Sequence, residues 1–321
     1  MTEESAAMSP IARNQPASSI DRAPERAGGL GRMRDFIVLI RPRQWVKNGF
    51  VLAPLLFSGK AGNPGAVADA IGAFACFCML ASGIYCWNDV VDYNADRAHP
   101  TKRNRPIAAG LVSRTAGIVL GSVFVVISLV LGFVIAPKLG LVLAIYAGLN
   151  VAYSSWLKHL VLVDVFAIAA FFVLRLLAGV TAIDVHASVW LLLCGGLLSL
   201  YLGFAKRRHE LALLAAGSSA QRAVLLHYDA ATLDQISGIL LSVTIVSYIM
   251  YTISSSTAAA VGSEALSYST IFVLYGCFRY LILTRRDHGG DPAATLLTDR
   301  GLIIDVALWI AYCAWIVYRP I

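Results

Sequence analysis

The chain has 321 residues, 58% of them hydrophobic and 14% charged, with a mean hydropathy of +0.70. A soluble domain carries roughly a quarter charged residues, so an ordinary soluble enzyme is excluded and lipid is the expected solvent. The net charge of +7 fits nucleic acid, anionic lipid or an anionic substrate, but the basic residues sit at the mouths of apolar runs beside carboxylates, which argues against nucleic acid.

Residues 1–33 are rich in Ala, Ser, Pro and Arg, with no apolar stretch behind the early charges. A disordered cytoplasmic tail is expected there rather than a signal peptide, followed by one transmembrane domain over 34–321. Apolar segments fall at about 44–58, 66–88, 115–136, 139–153, 160–182, 187–205, 233–254, 265–284 and 302–318. They predict an all-α, polytopic membrane protein with a bundle of about nine transmembrane helices. The first and fourth segments are short and rest on their context. The six cysteines lie in or beside these runs without a C-x-x-C pair, and read as small packing residues.

Alternate loops of such a bundle face opposite sides. One side collects Arg32, Arg34, Arg41, Arg43 and Lys47, then Arg97, Lys102, Arg103 and Arg105, then Lys158, Lys206, Arg207, Arg208 and Arg222, and finally Arg285, Arg286 and Arg300. The other side has Lys60, Lys138 and Arg319. Because basic loops are retained inside, the N-terminus and the basic face are expected to be cytoplasmic, in the inner (plasma) membrane.

Chemistry needs acidic partners on that face, and the run Asn88-Asp89-Val90-Val91-Asp92-Tyr93-Asn94-Ala95-Asp96 supplies them. If the second span continues as a helix, Asn88, Asp92 and Asp96 share one face with successive members about 6 Å apart. Such an oxygen trio suits magnesium, which keeps several waters or phosphate oxygens in its shell. Asp89 and Asn94 lie off that face and read as a solvated helix end. Lys102, Arg103 and Arg105 follow at once and are candidates for phosphate oxygens.

Further basic and polar candidates stand at span mouths: Arg43, Lys47 and Asn48; Tyr153 and Lys158; Lys206, Arg207, Arg208 and Glu210. Within the fifth span, Asp164 and Arg175 lie about three turns apart and are expected to point the same way. Ionisable residues inside a membrane are functional candidates by default. Arg279 and Asp305 are expected to form a structural pair between the last two spans, and His186 and His227 receive no role.

The N-D-x-x-D-x-x-x-D run at the end of the second span resembles the first aspartate-rich motif of the UbiA superfamily of intramembrane prenyltransferases. The resemblance covers residues 36–321 and implies a nine-helix bundle whose motif holds magnesium on the donor diphosphate. Typical members carry a second D-x-x-x-D motif after the sixth span, whereas this chain reads Ala205-Lys206-Arg207-Arg208-His209-Glu210 there. A cationic stretch in that place suits a donor with an extra phosphate. With R-P-R-Q-W-V-K-N, H-P-T-K-R-N-R-P-I-A-A-G, Y-S-S-W-L-K-H and G-F-A-K-R-R-H-E-L, it resembles the decaprenyl-phosphate phosphoribosyltransferase branch.

That branch implies transfer of phosphoribose from phosphoribosyl pyrophosphate to a polyprenyl phosphate, in the pathway to decaprenyl-phosphate arabinose. Asn88, Asp92 and Asp96 would then hold magnesium on the pyrophosphate. Lys102, Arg103, Arg105 and Lys158 would balance its oxygens, and Lys206, Arg207 and Arg208 would grip the ribose 5-phosphate or the lipid phosphate. Two other readings stay open: a prenyltransferase for quinone or haem precursors, and a secondary transporter, against which no clear internal repeat is visible. Lipid chain length and oligomeric state, a homo-oligomer included, are left open.

Overall fold

The computed structural model describes residues 29–186, 189–215, 223–261, 263–285, 295 and 297–319. Helix α1 spans Gly29–Ile40, so residues 29–33, expected in the tail, are helical, while 1–28 lie outside the described residues. A 3₁₀ segment, Pro42–Leu52, runs directly into α2, Ala53–Phe57. Then come α3 (Pro64–Val91), α4 (Tyr93–Ala98), α5 (Arg114–Ile135), α6 (Pro137–Ser155), α7 (Val163–Ala182), α8 (Val189–Ala215), α9 (Ala230–Ile253), α10 (Ser255–Val261), α11 (Thr270–Arg285) and α12 (Arg300–Tyr318).

Seven of the described helices are long and apolar enough to cross a membrane. The first and fourth of the nine expected spans are not among these seven. The fourth falls on α6, 19 residues long, and the first on the 3₁₀ segment with α2.

Local chemistry fixes the helix starts. Asn63 accepts from the backbone N–H of Gly65 (2.9 Å) and Ala66 (3.2 Å) ahead of Pro64. Ser113, Asp229 and Asp299 cap α5, α9 and α12 in the same way, each satisfying an N–H that the first turn leaves unpaired. Small residues bring the helices close: a Cβ on Gly83 would lie 2.7 Å from the Gly121 carbonyl oxygen, and one on Gly179 would lie 2.0 Å from that of Val51. Lipid cannot drive apolar helices together as water does, so such close backbone contact replaces that force.

One core joins α3, α5, α6, α7 and the Pro42–Phe57 segment around Phe77, Leu80, Leu139 and Leu143. Others lie among α8, α9, α11 and α12. The ring closes where the Tyr318 hydroxyl donates to the Leu55 carbonyl (2.8 Å) and accepts from the Ala61 N–H (3.0 Å). Val119, Val126, Val130 and Val134 of α5 remain exposed, as a lipid-facing stripe requires.

Candidate active site

A cavity of about 630 Å³ lies between the 3₁₀ segment, α3, α6, α7 and α8, at the end of the bundle where α3 and α6 finish and α7 begins. Its wall brings together Lys47, Lys158, Arg175 and Lys206 against a single carboxylate, Asp92. An excess of cations in a cleft with low-dielectric walls concentrates anions. Tyr153, Ser154 and Asn150 add neutral polar groups, and Phe50, Phe171 and Phe172 form an apolar side. Lys158 stands in the Leu157–His159 turn after α6. Neither it nor the Asp92 carboxylate makes a side-chain hydrogen bond to another described residue.

Arg175 is only 4% exposed and forms no ion pair among the described residues. Its Nε donates to Asn48 Oδ1, its Nη1 to the Phe171 carbonyl and its Nη2 to the Tyr146 hydroxyl, each at 2.8 Å. The guanidinium also stands 5.0 Å from the Tyr146 ring and 5.2 Å from that of Phe172, where the ring faces attract a cation. Buried Asn48 in turn donates to Cys78 Sγ. Arg175 is thus held as a fixed, uncompensated positive charge in the cavity wall.

The aspartate run departs from a continuous helix. α3 ends at Val91, Asp92 turns with ψ of 7°, and Asp96 belongs to the short α4. The backbone bonds from Asp92 to Asn88 and from Asp96 to Asp92 persist at 2.8 Å, but the bend separates the expected trio. Asn88 and Asp92 line the cavity, whereas Asp96 is 2% exposed and accepts from Arg105 Nη1 at 2.7 Å.

Asp89, read from the sequence as a solvated helix end, is instead 2% exposed. It pairs with Arg41 and accepts from Arg105 Nη1 at 3.1 Å. Two arginines and two aspartates therefore tie α3, α4, the 99–113 loop and the end of α1 into one network. Arg41 stacks on Tyr85 at 4.8 Å and has a left-handed backbone, φ 53°. The loop is pinned beside it by buried Ile107 and Val112 packing on Leu39, Cys86 and Val90, and it turns at Gly110 (φ 75°), where a side chain would be strained. The signal for Asp89 was available: a carboxylate at a membrane helix end is costly unless paired, and Arg41 was at hand.

Other candidates also move. Arg105 faces acids rather than the cavity; Lys102 and Arg103 do not line it, and Arg43 is exposed. Asp164 and Arg175 do not act together: Asp164, fully buried, accepts from Arg207 Nε at 2.7 Å, and Arg207 also pairs with Glu210. Arg208 bonds Asp234 at 3.2 Å beside a second pocket. Arg279 pairs with Asp299 at 2.9 Å and not with Asp305, because Asp299 caps α12 within its reach while Asp305 sits inside the helix beside Gly276. Arg222 and Arg286 lie outside the described residues. Sequence reasoning missed Tyr85, Tyr146, Asn150 and Ser154; a polar Asn150 inside an apolar run was the one visible sign.

For magnesium, the oxygen donors at the cavity are Asn88 and Asp92. Asn88 Oδ1 accepts from Ser154 Oγ at 3.2 Å, and the Asp92 carboxylate is available. Magnesium is usually held by one or two carboxylates plus substrate phosphates and waters, so this donor set fits it when an anionic ligand supplies the remaining oxygens. No group of three or more His, Cys, Asp or Glu residues suited to a metal occurs among the described residues. A tightly held, all-protein metal site is therefore not what this cavity offers.

Residues 50–298 match the UbiA prenyltransferase family. Over 292 residues, 88% of this chain and 92% of the relative, the sequence is 33% identical to the decaprenyl-phosphate phosphoribosyltransferase of Mycolicibacterium smegmatis. It is 32% identical to the Mycobacterium tuberculosis protein of that name over 85% of this chain and 90% of the relative. The fold is similar to that of a UbiA homolog from Archaeoglobus fulgidus bound to GPP and Mg2+, at 16% identity and a TM-score of 0.68, covering 88% of this chain and 99% of that one. The bundle, its polar cavity at one end and these likenesses agree: the chain belongs to the UbiA prenyltransferase family.

Proposed function

We propose that the protein transfers 5-phosphoribose from phosphoribosyl pyrophosphate to a polyprenyl phosphate such as decaprenyl phosphate, releasing diphosphate at the cytoplasmic face of the plasma membrane. The observation that carries this reading is the charge of the cavity: Lys47, Lys158, Arg175 and Lys206 against Asp92 alone. A prenyl diphosphate and a neutral aromatic acceptor bring one diphosphate. A phosphoribosyl donor and a lipid phosphate bring a diphosphate and two further phosphates, and call for the larger cationic wall. The relatives named above support the same substrate class.

In the reaction, the bond from the anomeric carbon to pyrophosphate oxygen breaks and the electron pair leaves with diphosphate. A phosphate oxygen of the lipid forms the new bond from the opposite side, converting the α configuration to β. The acceptor is already anionic at neutral pH, so no residue has to remove a proton. The work of the chain is positioning and electrostatic stabilisation. Lys158 and Lys206, from separate elements of the wall, neutralise donor phosphates, and Lys47 and Arg175 add fixed positive charge where diphosphate gathers electrons.

Asn88 and Asp92 would hold magnesium, which when bound supplies a Lewis acid for the diphosphate oxygens. Val46, Val91 and Val151 are exposed at the cavity's edge and give the isoprenoid tail an apolar entry from the bilayer. The test is transfer from labelled phosphoribosyl pyrophosphate to polyprenyl phosphate in membranes holding the wild type or Asp92→Asn. Loss of transfer in the variant is expected; undiminished transfer would overturn the assignment of Asp92.

A further inference from the structure

Helix α8 has distinct faces. Ser199, Gly203 and Lys206 look into the transfer cavity, and Arg207 looks at α7 through Asp164. A third face, carrying Tyr201, Arg208 and His209, looks away from the cavity into a second pocket of about 390 Å³, closed by α9 and α11 and lined also by Asp234, Ser237 and Arg285.

The pocket wall is unusual for the inside of a membrane bundle. Tyr201 is 1% exposed and Ser237 is 5% exposed, yet the Tyr201 hydroxyl, the Ser237 hydroxyl and His209 Nδ1 are buried without a hydrogen-bond partner among the described residues. A buried polar group without a partner is destabilising, and three at one pocket mark a place where an occupant completes the bonding. Arg285, at the end of α11, has no acidic partner among the described residues. Arg208 uses Nε for Asp234 at 3.2 Å, which leaves the rest of its fork for another acceptor.

We infer that this pocket is a second anion site, separate from the transfer cavity, that takes a phosphate monoester or diester with a small hydroxylated body. Arg208 and Arg285 supply the charge-assisted bonds that suit phosphate oxygens. The Tyr201 and Ser237 hydroxyls and His209 meet the remaining oxygens. Asp234 offsets one of the two arginines through its pair with Arg208, and Arg285 leaves the pocket with a net positive charge. A volume of about 390 Å³ exceeds what inorganic phosphate fills, which is why an organic phosphate is the fitting ligand. The same chemistry is presented by a soluble phosphorylated polyol and by the glycerophosphate headgroup of an anionic lipid.

Glycerol 3-phosphate is the probe, titrated onto the full-length protein in phosphatidylcholine nanodiscs while the thermal midpoint is followed. A saturable rise is expected. Arg285→Gln and Ser237→Ala should each need about tenfold more probe for the same rise, while Lys158→Ala, in the transfer cavity, should respond as the wild type does. A second arm uses phosphatidylglycerol nanodiscs. If the headgroup is the source, those discs raise the wild-type midpoint, not that of Arg285→Gln, and remove the response to added probe; if the source is soluble, the response persists. The inference is overturned if the wild type responds in neither arm, or if Arg285→Gln and Ser237→Ala match it in both. Phosphoribosyl transfer by these two variants is measured alongside and should be retained.

Discussion

Arg207 donates from Nε to Asp164 Oδ2 at 2.7 Å, and both side chains are fully buried. The pair joins α7 to α8 and fixes the rotation of α8 that turns Lys206 into the cavity and Arg208 away from it. Removing one member of a buried pair leaves an uncompensated charge and costs about 3–5 kcal/mol. Arg207→Ala should therefore lose thermal stability in detergent by that order, and Asp164→Asn by less, because Glu210 still pairs with Arg207. A double-mutant cycle should show strong coupling, since the two residues share one interaction.

Lys158 and Lys206 should behave in the opposite way. They line the cavity on separate elements, and neither belongs to the fully buried Arg207–Asp164 pair, so alanine at either position should lower the thermal midpoint less than Arg207→Ala does. Each should lower kcat/KM for phosphoribosyl transfer by about 10–100-fold, the worth of a hydrogen bond to a charged group. Steady-state kinetics beside a melting curve separates the two classes.

Asp89 and Asp92 are three residues apart and should split in the same manner. Asp89→Asn removes a charge that faces both Arg41 and Arg105, so unfolding should occur at lower temperature. Asp92→Asn should keep its stability, transfer far more slowly, and need more magnesium for the transfer that remains. A magnesium titration of both variants checks the distinction.

Acid should act on the helix caps. Hydrogen bonds from Thr232 to Asp229, and from Arg279 to Asp299, hold these carboxyls below their ordinary value of 3.8. A group whose pKa is depressed on folding contributes stability above its unfolded value and loses it as pH falls through its folded value. Their contribution to the thermal midpoint should be constant from neutrality down to the ordinary carboxylate range and be lost below it. Asp229→Ala and Asp299→Ala should flatten that acid limb.

The sequence made the membrane class, the helical fold and the cationic nature of the site legible, because apolar run length and loop charge are local properties. It placed Lys47, Asn88, Asp92, Tyr153, Lys158, Arg175 and Lys206 among the candidates, and these line the cavity. It could not tell which neighbour in a charged run turns inward. Lys206, Arg207 and Arg208 are consecutive but lie about 100° apart around a helix, and they serve three different surfaces. The bend at Asp92 was likewise invisible to spacing alone, and it sends Asp96 to Arg105 instead of the cavity. Pairings such as Arg41 with Asp89, 48 residues apart in the chain, follow from tertiary contact and carry no local pattern.

The most direct test of the central claim is mass spectrometry of lipids formed in membranes containing the protein, magnesium, polyprenyl phosphate and phosphoribosyl pyrophosphate, beside a parallel mixture of a prenyl diphosphate and an aromatic acceptor. The expected product is a polyprenyl phosphate carrying a phosphoribosyl group, formed only in the first mixture and dependent on Lys206. A prenylated aromatic product in the second mixture, with no phosphoribosylated lipid in the first, would contradict it.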